Sequence, residues 1–367
     1  MITTSTLWKL PPHTKGKHLV LKNYLNAWFP ILGKYNGRIL FIDGFAGPGE
    51  YRYGEKGSPL IALNTYMKHR ARNRMSAEVY FIFIEKDKRR FNHLKSLIDP
   101  LIPELPNNCK VEIINGKFDG TMNEIMDLLD DQEKELAPSF VMVDPFGVSE
   151  TPMEIIERIF RNKKSEVFIS FQYDSINRFS KKEEFEPHLN ELYGCTEWKN
   201  GTEIEDGKDR RTFYYNLYER KLREVGSKKN VIHFDLFKKN RLIYSIFFGT
   251  KHIRGSDRMK QAIWKVSPFG DFSFRGVHAD QLTLVLENPD LGPLKEAIIQ
   301  EFMGKGWITI EDIHEFVSSD ATDYHSGQYK KVLRGLEKND KIEIDESTRK
   351  IKLSYPNGTK IKIKQDH

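Results

Sequence analysis

Cysteine is nearly absent. Cys109 and Cys195 are the only two in 367 residues, and neither stands in a CxxC or Cys/His spacing. A disulfide framework and a zinc site are therefore not expected. The eleven histidines form no HxH or HxxxH pair, so no His-based metal centre is expected either. No apolar run reaches the ~18–20 residues of a membrane span. Met1 to Leu10 has neither the charge pattern nor the cleavage site of a signal peptide. No long Pro/Ser/Gly stretch and no block of like charge points to disorder. These absences lead to the expectation of a soluble, cytoplasmic protein with no membrane partner.

Core-forming residues are plentiful. Hydrophobic residues make up 39% of the chain and aromatics 12%, enough for a sizeable core, and the length favours two domains. The net charge of +6 is compatible with a nucleic-acid partner but does not demand one.

Strand-like and helix-like segments alternate along the first half. Thr14 to Phe29 reads as an opening helix and Arg38 to Asp43 as a buried strand. Ser58-Pro59 reads as a helix cap followed by a helix to about His69. Further strands are expected at 79–84, 111–115, 140–144 and 167–171, with helices ending near Ile98, Asp130 and 161. Five strand–helix units argue for a parallel, doubly wound sheet. Residues 177–228 read as a charged helical insertion. Val231 to Phe237 and Leu242 to Gly249, joined by Lys238-Lys239-Asn240, read as a β-hairpin. Periodicity alone shows the hairpin; five parallel strands followed by an antiparallel hairpin resemble the way a class I methyltransferase sheet ends, and that resemblance implies a Rossmann-like class I methyltransferase fold.

Asn288-Pro289 and Gly292-Pro293 mark a boundary, giving domains at 1–287 and 288–367. Beyond it, helices at 294–303, 310–318 and 328–338 and short strands at 307–309, 341–344 and 350–354 suggest a winged-helix-like domain. From Tyr324 to Lys364 there are eleven Lys/Arg against five Asp/Glu. Lys330, Lys331, Arg334 and Lys338 fall on or near its third helix, where a winged helix would meet phosphates.

The candidate chemistry sits at strand C-terminal ends, where a doubly wound sheet binds ligands. In Asp43-Gly44-Phe45-Ala46-Gly47-Pro48-Gly49 the glycines allow close approach of the main chain to a ligand, and Asp43 would lie near the ligand's amino group. The turn suits S-adenosylmethionine better than a dinucleotide, whose pyrophosphate needs amides and a helix start. A P-loop is rejected. Gly49 and Gly54 have its spacing, but Glu55-Lys56-Gly57 follows in place of Lys and Ser/Thr. Glu85, ending the second strand, could accept ribose hydroxyls, and Asn115 or Asp119 would neighbour the adenine. In Asp144-Pro145-Phe146-Gly147, a carboxylate and a carbonyl could hold an exocyclic amine in line with a methyl–sulfur bond. Phe146 could stack on an extruded base.

These residues carry a family resemblance. Lys17-His18 ahead of the apolar run of the opening helix, the Asp43–Gly49 turn, Tyr51, Gly57-Ser58-Pro59 and Asp144-Pro145-Phe146-Gly147 resemble the three-Cys-motif partner family. The resemblance extends through the segment from Met259 to Pro268 and into the tail. It implies a methyltransferase-like domain acting beside a radical-SAM-like protein that bears three cysteines. The Asp-Pro-Phe-Gly loop also looks like that of tRNA guanine-N2 methyltransferases and, more loosely, of adenine-N6 enzymes, in which a second proline replaces Phe146.

The sequence therefore predicts methyl transfer from S-adenosylmethionine to a nitrogen, foremost an exocyclic base amine of RNA or DNA. Asp43, Phe45, Gly47, Gly49 and Glu85 would hold the cofactor, with Asp144, Pro145 and Phe146 on the acceptor side. A non-catalytic binding partner of the radical-SAM-like protein, and a peptide or protein methyltransferase, are the competing readings.

Overall fold

A computed structural model describes residues 6–226, 230–238, 241–267, 273–274 and 289–364. The hairpin turn at 239–240, Pro268 and Asn288 lie outside the described residues. The chain divides into two compact units. The first runs to His252 and includes Ser273–Leu282; the second holds Ile253–Phe272 and Thr283–His367.

Eight strands form the sheet of the first unit: β1 (Arg38–Asp43), β2 (Glu78–Ile84), β3 (Cys109–Ile114), β4 (Ser139–Val143), β5 (Glu166–Phe171), β6 (Val231–Lys238), β7 (Arg241–Thr250) and β8 (Ser273–Phe274). Their order is β3-β2-β1-β4-β5-β7-β6-β8. Strands β1 to β5 are mutually parallel, whereas β7 lies antiparallel to both β5 and β6. A parallel five-strand core closed by a reversed hairpin is the class I methyltransferase arrangement, as the sequence led us to expect.

Alternation along the strands explains the two layers. Ile39 and Phe41 face one side of β1, and Leu40 and Ile42 face the other. All four are buried. On the first side Phe41 stacks on Phe140, with ring centroids 5.8 Å apart. Around them pack Tyr24, Trp28 and Phe29 of α1 (Pro12–Gly33) and Tyr66 of α2 (Ser58–Met67). On the second side Leu40, Ile42, Val141, Val143 and Ile169 form a core with further helices. Those are α4 (Phe118–Asp131), α5 (Met153–Arg161), α6 (Tyr173–Phe179), α7 (Glu186–Tyr193) and α8 (Gly207–Val225), of which α4, α5, α7 and α8 supply most of the packing side chains. Helix α3 (Lys88–Ile98) contributes none to that core.

The second unit contains α9 (Ile253–Trp264), α10 (Gly292–Phe302), β9 (Ile308–Thr309), α11 (Ile310–Ser318), α12 (Tyr329–Lys338), β10 (Ile342–Ile344) and β11 (Lys360–Ile363). Helix α9 joins this unit through Lys260. Its buried ammonium donates to the carbonyls of Val317, Ser319 and Thr322 at 2.5, 2.6 and 3.0 Å. A cation there satisfies carbonyls at the C-terminal end of α11 that have no helical partner. Thr309 and Asp312 close the other end of α11 with a capping box.

One expected strand is corrected. Residues 350–354 form bends and turns, and the wing strand is Lys360–Ile363, antiparallel to β10 and β9. Leu353 takes a left-handed φ of 60°, which a strand does not permit. The alternation Lys360-Ile361-Lys362-Ile363, with both isoleucines buried, is the signal that marks the true strand.

Candidate active site

Strand β1 lies between β2 and β4, at the point where the chain reverses its order of strand addition. The loops beyond the carboxyl ends of these strands form a crevice. The Gly44 amide donates to the Met142 carbonyl and the Ala46 amide to the Ile84 carbonyl, each at 2.9 Å, so the glycine turn is tied to both neighbouring strands. Gly47 and Gly49 have φ of 63° and 85°, the left-handed region that glycine enters without strain. A Cβ on Gly49 would also stand 2.7 Å from Leu94 Cδ1.

A cavity of about 600 Å³ opens above this turn, within the size range of a small-molecule or cofactor site. Gly47, Gly49, Ser58, Lys17, Asp144 and Phe146 are among its lining residues. Asp43, the last residue of β1 before the turn, is fully buried and is not among the residues lining the cavity. Its Oδ1 accepts the Phe45 amide at 3.2 Å, while Oδ2 is buried without a hydrogen-bond partner. Burial pushes the Asp43 carboxyl up to about 6, against the opposing influence of the Ser58 hydroxyl, the Phe45 amide and Lys17. Ser58 is the first residue of α2 rather than its cap, which is Gly57.

Glu85 is buried at the end of β2. Its two oxygens accept the amides of Gly47 and Asp87, each at 2.8 Å, so it braces the glycine turn. Burial raises its pKa, partly offset by those amides and Arg90. Asn115 is exposed, and its side-chain amide donates to the carbonyls of Glu85 and Lys86 at 2.8 and 3.2 Å. Asp119 sits in the first turn of α4 with Oδ1 buried and unpartnered. Neither lines the main cavity. A narrow slot of about 20 Å³ beside Glu85 is lined instead by Phe45, Gly116, Lys117, Phe118, Arg90 and Phe146, among others.

Asp144 follows β4 and forms an ion pair with Lys17. Lys17 and His18 both lie inside α1, and both are buried. Burial opposes the charge on Lys17, yet Asp144, Tyr244 and Tyr51 together raise its pKa. Burial likewise pushes the Asp144 carboxyl up, and Lys17 more than reverses this, leaving it lowered. His18 drops to about 3 through burial and the adjacent Lys17, so its imidazole is neutral.

Pro145 and Phe146 reach the cavity mouth, and Phe146 is 64% exposed. Trp8 meets its ring edge-on at 6.0 Å. The Arg90 guanidinium lies 5.1 Å from the Trp8 ring and 5.4 Å from the Phe146 ring. Sequence patterns gave no sign of Trp8 or Arg90 as site residues, because they belong to an irregular N-terminal segment and to a helix whose pairing only the fold reveals. Lys17 was legible as a motif but not as the partner of Asp144.

In the second unit Lys331, Arg334 and Lys338 project from one exposed face of α12. Lys330 turns away from that face and donates to the Tyr355 carbonyl at 2.6 Å. Among the described residues, no group of three or more His, Cys, Asp or Glu could hold a metal ion. None of their helices is long and apolar enough to cross a membrane.

The strand order defines a class I methyltransferase-like fold carrying a C-terminal winged helix. Residues 277–349 match the family described as the GMT-like wHTH domain. Solved structures similar to the chain include a SAM-dependent methyltransferase from Agrobacterium tumefaciens, at 10% identity and TM-score 0.37, covering 66% of this chain and 63% of that one. An O-methyltransferase from Bacillus cereus in complex with SAH matches at 11% identity and TM-score 0.33, covering 63% of this chain and 80% of that one. A putative rRNA methylase from Clostridium thermocellum matches at 10% and 0.31, over 61% of this chain and 90% of that one. Scores this low carry no argument alone, and the fold rests on the strand order. No curated protein matches the sequence.

Proposed function

We propose that the chain is an S-adenosylmethionine-dependent methyltransferase acting on an exocyclic amine of a nucleic-acid base, beside a radical-SAM-like protein bearing three cysteines. One observation carries the cofactor reading. The unpartnered, buried Oδ2 of Asp43 belongs to the residue that opens the turn whose glycines, Gly47 and Gly49, line the cavity. A buried acceptor without a donor is costly until a ligand supplies one, and an ammonium is the donor that best fits a carboxylate. S-adenosylmethionine, when bound, supplies a methyl group on a positively charged sulfur. Gly47 and Gly49 would lie against it, Asp43 would hold its ammonium, and Glu85 would fix the turn.

On the acceptor side Lys17 keeps Asp144 ionised, so its carboxylate can accept an N–H and orient the nitrogen lone pair. Phe146, with Trp8 at its edge, offers an exposed face for a base taken out of its stack. The exposed cations of α12 would bind phosphates outside the site. The association with a three-cysteine protein rests on the motif resemblance.

A second reading, a non-catalytic binding partner, has one observation in its favour: Asp144 is already engaged by Lys17. Calorimetry with S-adenosylmethionine, followed by tritiated methyl transfer into fractionated RNA, DNA and protein, separates the readings. Absence of cofactor binding to folded protein sinks every methyltransferase reading. Binding without transfer favours the partner role, and label in protein alone overturns the base-amine assignment.

A further inference from the structure

The layer formed by α1, α2 and the loop from α2 to β2 contains no carboxylate. No Asp or Glu precedes Asp43, and none lies between Glu55 and Glu78; the same two stretches hold eleven lysines and arginines. Two of these cations are neutralised, Lys17 by Asp144 and Arg38 by Glu78. Lys34, Lys68, Arg70 and Arg74 form no ion pair among the described residues.

Lys15, Leu19, Lys22 and Asn26 are exposed along one face of α1 at spacings of four, three and four, and Lys34, also exposed, follows at the helix's C-terminal cap. One end of the row adjoins the catalytic cavity, which Pro11, Thr14 and Lys17 help to line. The other end opens into a separate cavity of about 360 Å³, lined by Asn26, Pro30, Lys34, His69, Arg70 and Arg74, among others. At 1.5 Å per residue the helix spans about 33 Å, room for several nucleotides.

The far cavity is held in shape by its own hydrogen bonds. His69 Nδ1 accepts the Ala71 amide at 3.0 Å, so Nε2 donates to the Asn26 carbonyl at 3.0 Å. Arg72 donates to the Met67 carbonyl at 2.9 Å. These bonds fix the loop while Arg70 and Arg74 stay exposed. Beside Lys34 stands Tyr35, 71% exposed, an aromatic face with an ammonium 5.1 Å from its centre.

We propose that α1 and the α2–β2 loop form a track for the phosphate backbone of a single-stranded nucleic acid, with the Lys34–Arg70–Arg74 cavity seating a phosphate at its far end. Unpaired guanidinium groups match phosphate geometry, and an exposed aromatic beside them suits a base rather than a peptide. A single strand fits because a base must leave its stack to reach Phe146. The proposal rests on the nucleic-acid reading above and adds the route by which the strand reaches the cavity.

The test uses the full chain, with fluorescence anisotropy of a labelled mixed-sequence RNA of about 20 nucleotides, and DNA of the same sequence, across about 50–200 mM salt. The variants are Lys34→Gln/Arg70→Gln/Arg74→Gln and, for comparison, Lys331→Gln/Arg334→Gln/Lys338→Gln. Losing three phosphate contacts lowers the slope of log affinity against log salt by about 2, with at least a tenfold loss of affinity. A loss in the track variant, on either polymer, supports the track. Wild-type binding with an unchanged slope in that variant overturns the track and leaves the nucleic-acid reading standing. Failure of the wild-type chain to bind RNA or DNA at low salt overturns both. Should the triple variant melt early by circular dichroism, Arg74→Gln alone, with an expected slope change of about 0.7, decides the matter.

Discussion

Lys17 on α1 and Asp144 beyond β4 are joined in an ion pair across 127 positions of sequence. The Lys17 side chain is 3% exposed and that of Asp144 27%. Removing one partner of such a pair strands the other charge. Lys17→Met should cost about 3 kcal/mol, the low end for a broken buried pair because Asp144 keeps some contact with water. The pair also sets a pH limit. Asp144 has a lowered folded pKa, so its contribution is present above the ordinary carboxylate value and is lost as pH falls below it. Thermal melts at several pH values should show that acid limb shrinking in Lys17→Met, with Lys17→Met/Asp144→Leu regaining much of the loss. Equal melts for wild type and Lys17→Met would disprove the pairing.

Asp43 carries the opposite sign. Its folded pKa is raised to about 6 from 3.8, so above pH 6 the protein holds a charge that burial penalises. That penalty is relieved as pH falls from about 6 to 4, and the cofactor-free protein gains stability from this group over that window. Asp43→Asn should therefore raise the melting temperature at pH 7.5, by up to about 3 kcal/mol of stability at ~1.4 kcal/mol per tenfold, while lowering affinity for S-adenosylmethionine at least a hundredfold. In the wild type that affinity should decline with acidification below pH 6, approaching tenfold per pH unit. Calorimetry at pH 8 and pH 5 reads this directly, and a flat profile contradicts the role given to Asp43.

What the sequence disclosed follows from the range of the interactions involved. Runs such as Val79–Ile84 and Phe140–Val143 are buried on both faces, and their apolar continuity marks them without knowledge of their neighbours. The glycine turn is legible for the same reason, since its backbone demands are local. Partners brought together only by the sheet were not legible: Lys17 with Asp144, Trp8 and Arg90 with Phe146, and Glu85 with the Gly47 amide. The wing strand was misplaced because Lys350–Ser354 has strand-like composition, whereas the register that selects Lys360–Ile363 is set by pairing with β9 and β10.

Two glycines five positions apart separate backbone strain from packing. Gly49 and Gly54 both have positive φ, 85° and 81°. An added methyl meets Leu94 at Gly49 but nothing within 4 Å at Gly54. Gly54→Ala should cost only the left-handed conformation, about 1–2 kcal/mol, with cofactor affinity retained. Gly49→Ala should cost more, because overpacking adds about 1–3 kcal/mol, and should weaken cofactor binding as the turn shifts. Chemical denaturation and calorimetry on both variants test this. Equal effects would mean that the close approach to α3 is unimportant.

In the winged-helix unit, Arg349 grips Glu337 with two bonds of 2.8 and 2.7 Å, their side chains 1% and 8% exposed. Tyr355 adds a third bond at 2.6 Å. The Arg349 hydrogen bonds pull the Glu337 carboxyl down to about 2 from 4.5. Such a lowered pKa gives stability above pH 4.5, about 3 kcal/mol by the same conversion, and it is lost as pH falls toward 2. Glu337→Gln should forfeit most of it at neutral pH. Amide hydrogen exchange in α12 should then quicken markedly at pH 7 and vary less with acidification than in the wild type.

Phe146 is the acceptor-side residue whose substitution should touch function alone. Its exposed ring contributes little to the core, so Phe146→Ala should change stability by no more than about 0.5 kcal/mol. Base–aromatic stacking is worth about 1–3 kcal/mol, so the apparent KM for a nucleic-acid acceptor should rise roughly 5- to 150-fold. Phe146→Tyr keeps a stacking face and should retain most of the affinity. Methyl-transfer kinetics on the acceptor fraction, paired with thermal melts, tell the two roles apart. A Phe146→Ala variant that melts early, or that transfers methyl groups with an unchanged KM, would place the ring in the structure of the loop rather than under the base.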